Sequence, residues 1–373
     1  KCLGQYELSI SYLERSLLLV ASDPDTIQKW EAIQPLTEVF HLISLSRTSI
    51  LFQTEALRIA QIIGDVLNEQ LSLMYLGTLY SSIEEYEDAK EFFQKAVEKA
   101  ETFKSEKARK KALAFTNLRY ANLNKLLADC ETAIKLYNFA TDYYENSEFQ
   151  LHNYEAHKGK LLCYLQSKND SSFQKELPVI LEIFNKYRKE ILEEKNRHSF
   201  FDNEQSIYDI AVDYEFSKAN FTDAFDYAEE SRSRSLLDLQ NSAIQVSTNE
   251  MQPQINFSEN LSNPLKLAQI QNEMPENTQL LAYSVSPEKI LIWLITKNSV
   301  NTATAEISSE ILQEKISDYL KLVSSNVEPI EQLKLSRELH QVLISPIKDR
   351  LNINKQIFII PDKILFRLSF ATL

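Results

Sequence analysis

Glycine is scarce in this sequence. Only four glycines occur among 373 residues, at positions 4, 64, 77 and 159. Loops that bind phosphate groups need glycine, because their backbone N–H groups must approach the ligand closely. Tight β-hairpin turns need it as well, because their central residues take positive φ angles. The scarcity therefore argues against nucleotide chemistry by a phosphate-loop or Rossmann route and against a large all-β fold.

Cysteine is equally rare, with only Cys2, Cys130 and Cys163. Three scattered cysteines do not make a disulfide framework, and no two of them have the spacing of metal ligands. No apolar run approaches the roughly 18–20 residues that cross a bilayer. The first residues also lack the charged-then-apolar pattern of a signal peptide. We therefore expect a soluble cytoplasmic protein with no metal site, no cofactor and no membrane contact.

Positive charge is in deficit. The net charge is −13 and the sequence pI is about 5.1, which disfavours sequence-independent attraction to nucleic acid. The basic stretch Lys104–Lys111 carries no interleaved aromatic residues and is interrupted by Glu106, so a solvated helix face is the simpler interpretation. With 44% hydrophobic and 25% charged residues, the composition is that of a globular protein. Its length predicts two domains, since single cores rarely exceed about 250–300 residues.

A helical-repeat pattern is clearest between residues 73 and 96. Large apolar residues line the first helix, a glycine allows the second helix to approach, and alanines stand where the two helices cross. The matching positions are Leu73, Leu76, Gly77, Tyr80, Tyr86, Ala89, Phe93 and Ala96. This pattern resembles the tetratricopeptide (TPR) repeat at nearly every consensus position. The resemblance implies helical hairpins that stack around one continuous core and leave a concave surface for partners.

Related but weaker units flank this one. The second clear unit has Tyr120, Ala121, Ala133, Tyr137 and Ala140 in the same relative places. Apolar periodicity predicts a hairpin over 30–43 and 49–63, and a divergent hairpin with a turn at 169–172 and Pro178 in the first turn of its second helix. A last unit carries Tyr208, Ala211, Phe221, Ala224, Ala228 and Ser231. The first residues, from Gly4 to Ser16, resemble the second half of a unit, which predicts that the chain starts at a cut end.

Residues 221–240, FTDAFDYAEESRSRSLLDLQ, predict one further helix. Phe221, Ala224 and Ala228 fall on one side of it, and Arg232 and Arg234 fall on opposite flanks. Solvated arginines on a capping helix are the simpler interpretation of that pair. The run closely resembles the junction helix that ends the repeats in proteins with a caspase-like CHAT domain. We therefore expect a repeat array with its junction helix over residues 1–240.

The remainder of the chain predicts an α/β domain after a linker. Residues 241–264 are polar and lack helical periodicity. A short helix at 265–274 precedes β-rich runs at 280–285, 289–296 and 300–307. Helices follow, one capped by Ser308 or Ser309 and one opened by Pro329, and then a buried-type strand at 356–360. The expected fold class is thus an α-solenoid of TPR-like hairpins followed by the N-terminal part of a caspase-like α/β domain, residues 265–373.

The CHAT resemblance rests on two strings, LKLAQIQNEMPENTQLLAYSVSPEKILIWLIT and IFIIPDKILFRLSFATL. With the repeats and the junction helix it covers essentially the whole chain. Lys363 stands where glycine is common in the family, and Ser369 where proline is common. The family implies peptide hydrolysis by a cysteine nucleophile with a histidine base. Both residues come from strand ends downstream of the matched segment, so no residue here is assigned a catalytic role.

The other chemically capable residues give no substitute. Cys130 and Cys163 are expected to be small core residues. His152 and His157 are five positions apart, poor spacing for one helix face, and they lack the zinc-binding HExxH arrangement. His41 and His198 are isolated, and His340 lies beside Leu339 and Val342 on a predicted helix as a packed or surface residue. The adjacent carboxylates at 84–85 and 229–230 point different ways on helices, so they do not form an acid–base pair.

Two functions remain open at this point. In the first, the parent protein is a bacterial CHAT-type cysteine peptidase that a protein partner regulates through the repeats. In the second, the chain is a non-catalytic protein-interaction scaffold. Either way, the inward positions of the first helices are the candidate site for a protein or peptide. In the two clearest units these positions are Thr78, Ser81, Asn122 and Lys125.

Overall fold

The computed structural model describes residues 6–20, 22, 25–190, 206–233, 264–324 and 329–373. The chain divides into two compact units, residues 1–192 and 193–373. The first unit is built of helices and the second combines helices with a four-stranded sheet. In the described part of the chain, no helix combines the length and the apolar character that a membrane crossing requires.

Nine consecutive helices form the described part of the first unit. They are α1 (Tyr6–Val20), α2 (Ile27–Leu42), α3 (Ser46–Ile63), α4 (Val66–Ser82), α5 (Tyr86–Glu101), α6 (Glu106–Leu126), α7 (Cys130–Tyr144), α8 (Gln150–Gln166) and α9 (Asp170–Glu190). Each helix packs against the next along the chain. The connections are short, so neighbours run antiparallel and pair as the hairpins α2–α3, α4–α5, α6–α7 and α8–α9.

Most of the connections use the same backbone device. A residue with positive φ ends the helix, and the next N–H bonds back to a carbonyl five residues earlier. The positive-φ residues are Ser44, Gly64, Glu84, Ala128 and Lys168, and the bonds span 2.8 to 3.1 Å. Only one of the five is glycine. The stacked hairpins therefore tolerate the scarcity of glycine by placing ordinary residues in a conformation that costs about 1–2 kcal/mol each.

The crossing points of the helices match the repeat pattern. Ala89 and Ala96 on α5 are fully buried, and Phe93 between them is 1% exposed. A Cβ atom added to Gly77 would lie 2.9 Å from the Phe93 ring, so glycine is needed for this close approach. The predicted role of Gly77 in the α4–α5 hairpin is confirmed.

The divergent hairpin differs from its prediction. Residues 170–190 form one continuous helix, α9, and Pro178 lies in its interior instead of its first turn. The turn is shorter than expected, because Asn169 already bonds to the carbonyl of Tyr164 at 2.9 Å. The Asn169 side chain accepts from the N–H of Ser172 at 3.2 Å and caps the helix start. The polar run at 169–172, predicted to form a turn, thus serves as the cap and first residues of α9.

The second unit contains a mixed sheet. Its strands are β1 (Thr278–Val285), β2 (Ile290–Thr296), β3 (Ser299–Ala305) and β4 (Gln356–Ile360), in the order β3-β2-β1-β4. β1 pairs antiparallel with β2 and parallel with β4, with Leu280 opposite Phe358 in the parallel pair. All four predicted strands are present, and the predicted hairpin turn joins β1 to β2.

Helices cover both faces of the sheet. They are α10 (Ser206–Ser217), α11 (residues 221–233), α12 (Leu267–Glu273), α13 (Ser309–Ser324) and α14 (Pro329–Leu343). Alternate residues of β1 and β2 enter two separate cores, one shared with α10, α11 and α12 and the other with α13 and α14. Because both faces are buried, these strands are nearly continuous apolar runs and do not alternate with polar residues.

Trp293 ties α10 and α11 to the sheet. Its side chain is fully buried, its Nε1 donates to the carbonyl of Phe221 at 3.0 Å, and its ring meets Phe216 edge-on at 5.3 Å. The last predicted helical hairpin therefore belongs to the core of the second unit. Of the predicted junction helix, residues 234–240 lie outside the described part, as does nearly all of the predicted linker 241–264.

Candidate functional site

The first helices of successive hairpins are neighbours. α4 contacts α6, and α6 contacts α8. Polar bonds cross these junctions, from Gln70 Nε2 to Thr116 Oγ1 at 2.7 Å and between Arg119 and Glu155 at 3.4 Å. We call the surface that α4, α6 and α8 share the first-helix face. All four residues predicted to bind a partner belong to these helices.

Thr78 and Ser81 lie one turn apart on α4, and both are half-buried. The Thr78 hydroxyl donates to the carbonyl of Met74 in its own helix at 3.2 Å. That bond occupies the hydroxyl hydrogen and leaves oxygen lone pairs as acceptors. This part of the face therefore offers small polar groups instead of charges.

Asn122 on α6 has a fixed side chain. The hydroxyl of Tyr137, a fully buried residue of α7, donates to Asn122 Oδ1 at 2.6 Å. Because the oxygen is engaged, the amide NH₂ is the end of the Asn122 side chain that can donate to a ligand. Tyr137 is held in turn by Gly159 of α8, where an added Cβ would lie 2.2 Å from the tyrosine ring.

Lys125 lies one turn beyond Asn122 and is half-buried. Burial lowers the pKa of its ammonium group, and the charge of Lys158 on α8 lowers it further. Lys158 is also half-buried, with Nζ 5.9 Å from the centre of the Tyr154 ring. Lys158 was not predicted to lie on this face, because the α8–α9 hairpin diverges from the repeat pattern and shares only Gly159 with it.

A buried charged group links α8 to α9. His157 Nδ1 lies 2.5 Å from Glu176 Oε1, and Lys160 Nζ lies 3.2 Å from Glu176 Oε2. Burial alone would raise the pKa of Glu176, but the His157 hydrogen bond and the Lys160 charge hold it below its ordinary value. The three side chains satisfy one another, so this group stabilises the helix pair and is not an exposed acid–base site.

The two cysteines of the first unit that the structure describes are core residues. Cys130 and Cys163 are free and buried, and burial raises the pKa of Cys163 to about 12. A thiol with so high a pKa is a poor nucleophile at neutral pH. The interpretation of both residues as small core side chains is confirmed.

The carboxyl ends of β1 and β4 in the second unit hold a second polar cluster. Asp362 accepts from the N–H of Val285 at 2.8 Å. Lys363 donates to Asp209 at 2.7 Å and to the Val285 carbonyl at 2.6 Å. Burial raises the pKa of Asp209, and the Lys363 charge opposes that shift. These groups satisfy one another across α10, β1 and the β4 loop.

Arg232 corrects one prediction at this cluster. Instead of being solvated, it is 7% exposed and donates to the carbonyl of Tyr283 at 2.6 Å, and it also pairs with Glu229. Arg232 therefore fastens α11 to β1. The neighbouring carboxylates, Glu229 and Glu230, have different partners, as predicted, since Glu230 lies 3.3 Å from Lys266.

No protein-family model matches this chain, and no curated protein is similar to it in sequence. Among solved structures it is similar to BtubC (BKLC) from P. vanneervenii, with 18% identity, a TM-score of 0.49, and coverage of 68% of this chain and 96% of that one. It is also similar to the TPR-like repeats of a putative kinesin light chain from Podosopora anserina, with 12% identity, a TM-score of 0.40, and coverage of 49% and 89%.

A variant of the Podosopora anserina protein gives 14% identity and a TM-score of 0.39, covering 50% of this chain and 90% of that one. Both Podosopora anserina structures are described as TPR-like repeats. The likenesses are weak, and the stacked-hairpin architecture rests on this chain's own helix contacts.

Proposed function

We propose that this chain is a protein-interaction scaffold whose first-helix face binds a peptide segment of a partner protein. The observation that carries the proposal is the row of half-buried polar side chains on adjacent helices, Thr78 and Ser81 on α4 and Asn122 and Lys125 on α6. Half-buried polar side chains are already partly desolvated in the free protein. Their hydrogen bonds to a peptide backbone therefore cost less desolvation free energy on binding.

The neighbouring chemistry favours binding over catalysis. Cys130 and Cys163 are buried core residues, burial raises the pKa of Cys163, and the buried His157 is engaged by the Glu176 carboxylate. Hydroxyl, amide and ammonium groups on a rigid helical layer are suited to holding an extended peptide by its main chain and by a few side chains.

The experiment is a peptide-display selection against the whole 373-residue chain, followed by binding measurements with variants. Ser81→Arg places a long charged side chain on the first-helix face, whereas Gln94→Arg places the same group on the exposed side of α5. We expect Ser81→Arg to abolish binding of the selected peptides and Gln94→Arg to leave it within about twofold. Equal affinities for the two variants would contradict the proposal.

A second candidate function is the partner-binding part of a bacterial, cytoplasmic CHAT-type cysteine peptidase. The observation that favours it is the second unit's mixed sheet, in which two helices separate β3 from the parallel strand β4, together with the CHAT resemblance of residues 265–373. In this candidate, a partner on the repeats would alter the placement of α11 against the sheet.

The test of this second candidate is peptidase activity in the natural gene product, with and without a peptide that binds the first unit. A histidine and a cysteine that follow Leu373 and are both needed for cleavage would support it. Absence of cleavage by that product under all conditions would leave only the scaffold function.

A further inference from the structure

We propose that the free edge of β4 binds an extended, acidic segment of a partner protein, which adds to the sheet as a further strand. This surface belongs to the second unit and shares no residue with the first-helix face, so the proposal goes beyond the scaffold function. Three observations carry it: unpaired backbone groups along β4, apolar side chains that remain exposed on both faces of the sheet at that edge, and an excess of basic residues around the strand.

The backbone of β4 is paired on one side. The strand pairs with β1, and no strand in the described part of the chain pairs with its other side. Gln356 N donates to the carbonyl of Asn277, just before β1, at 3.0 Å. Successive residues of a strand direct their backbone groups to opposite edges. The N–H and C=O groups of Ile357 and Ile359 therefore point to the free edge, where an added strand would bond to them.

Apolar side chains lie on both faces of the sheet at this edge. Ile359 packs against the core shared with α13 and α14, and Ile360 packs against the core shared with α10, α11 and α12. Successive residues of β4 thus serve opposite faces. Ile357 is 39% exposed and Phe358 is 50% exposed, whereas every residue of β1 is buried. A further strand would remove apolar surface from water on both faces.

The opposite edge of the sheet is built differently. Its strand, β3, has the sequence SVNTATA, which is rich in polar residues. Arg350 donates to the carbonyl of Thr302 in that strand at 3.4 Å. A polar edge strand with a side chain bonded to its backbone is protected against pairing with another chain. β4 has the sequence QIFII, with four consecutive apolar residues and no charge, so it lacks this protection.

The charge around β4 favours an acidic partner. Residues 348–367 include five basic residues and two acidic ones, in a chain with a net charge of −13, and one of the two acids, Asp362, is buried. Lys355, just before β4, bonds to the neutral carbonyl of Glu276 at 2.8 Å. Arg367, beyond the other end of β4, is exposed. Acidic residues at the ends of an added strand would meet these cations, whereas a second copy of β4 would bring two basic segments together.

The experiment measures fluorescence anisotropy of a labelled peptide with the 373-residue chain. The peptide has a short run of Val and Ile flanked on both sides by Glu. One control peptide has Lys in place of Glu. A second control is N-methylated along the apolar run, so it keeps the side chains and lacks the N–H donors. We expect the Glu peptide to bind at least about tenfold more tightly than either control.

Each control tests one part of the proposal. Equal binding of the Glu peptide and its N-methylated form would overturn the addition of a strand, because only the backbone donors differ between them. Equal binding of the Glu and Lys peptides would overturn the acidic character of the partner.

Hydrogen exchange locates the contact. The N–H groups of Ile357 and Ile359 should exchange at least about tenfold more slowly when the Glu peptide is bound, and those of β3 should exchange at unchanged rates. Protection that appears without peptide and grows with the concentration of the chain would identify a second copy as the occupant and overturn the proposal. Protection by further residues of a longer natural gene product, without any partner, would overturn it as well.

Variants at the two edges of the sheet give a matched comparison. Ile357→Glu places a like charge at the free edge and should weaken binding of the Glu peptide at least about tenfold. Thr304→Glu makes the corresponding change at an exposed position of β3 and should change the affinity by less than about twofold. If the two variants bind the Glu peptide equally well, the site is wrong.

A charge variant tests the site without disturbing the core. Arg367→Gln should weaken binding of the Glu peptide about threefold and reduce its salt dependence, because one cation that meets the peptide is lost. Lys297→Gln, at an exposed position between β2 and β3, should change neither quantity. Equal effects of these two variants would contradict the recognition of an acidic segment.

Discussion

The contact between Gly159 and Tyr137 gives the sharpest prediction, because a Cβ atom at position 159 has no room. Replacing Gly159 with alanine would place a Cβ atom 2.2 Å from Tyr137 Cζ and 2.5 Å from its hydroxyl oxygen. Ordinary carbon–carbon contacts lie at about 3.5–4.0 Å, so the ring would have to move by about 1.5 Å. Tyr137 is fully buried in a core that includes Ala140 and Tyr144, and such cores have no free space for that movement.

The expected cost has two parts. Overpacking a core by one methyl group typically destabilises a protein by about 1–3 kcal/mol. Displacing the tyrosine also breaks its bond to Asn122, worth about 1 kcal/mol. We therefore expect Gly159→Ala to lower the free energy of unfolding by about 2–4 kcal/mol, which lowers Tm by roughly 5–15 °C for a unit of this size.

Urea and thermal unfolding followed by circular dichroism would measure the change. Tyr137→Leu removes the atoms that clash, so the double variant Gly159→Ala/Tyr137→Leu should lose less stability than the sum of its two single variants. Gly77→Ala is the matched comparison, since its added Cβ meets the Phe93 ring at the longer distance of 2.9 Å and should cost less. A stability of Gly159→Ala within about 0.5 kcal/mol of the parent chain, or strict additivity with Tyr137→Leu, would refute the close-packing argument.

Three further predictions concern single side chains. Lys363 has a φ of +47° and bonds to Asp209. Lys363→Met and Lys363→Gly both lose the ion pair, but only glycine relieves the backbone strain, so chemical denaturation should show the Met variant to be less stable by about 1 kcal/mol. The reverse order would contradict this. Burial lowers the pKa of His152 to about 4; because the unfolded imidazole takes up a proton first, stability should fall as pH drops from about 6.5 towards 4. Because His152 is partly exposed, we expect this loss of stability to be about 1–2 kcal/mol. Thermal melting of His152→Phe over the same pH range should not show this loss. Trp293→Phe removes the donor to the Phe221 carbonyl and leaves a void, so it should cost about 2–4 kcal/mol in denaturant titrations, and a loss below about 1 kcal/mol would show that the indole is not the anchor of α11.

The sequence predicted most elements because their signals are local. The Gly77–Phe93 hairpin, the β1–β2 hairpin and the helix opened by Pro329 each follow from periodicity or from one punctuating residue. Pro178 was misplaced because the tolerance of a proline inside α9 depends on the helix that surrounds it and not on the neighbouring sequence.

The candidate site was predicted in part. Asn122 and Lys125 follow from the repeat pattern, since a repeat fixes which positions of a first helix face inwards. Lys158 could not be found in this way, because α8 shares only its glycine with that pattern. The packing of α8 against α6 brings together residues more than thirty positions apart in the chain.

By itself the sequence determined the kind of each element, because apolar periodicity, capping residues and the spacing of small residues act within one or two helical turns. It also determined that the first unit is an array of hairpins. The tertiary structure alone decided that α10 and α11 join the core of the second unit and that Arg232 is buried against β1. Those outcomes depend on which distant surfaces meet, and burial and pairing of charges are properties of the meeting surfaces and not of the local sequence.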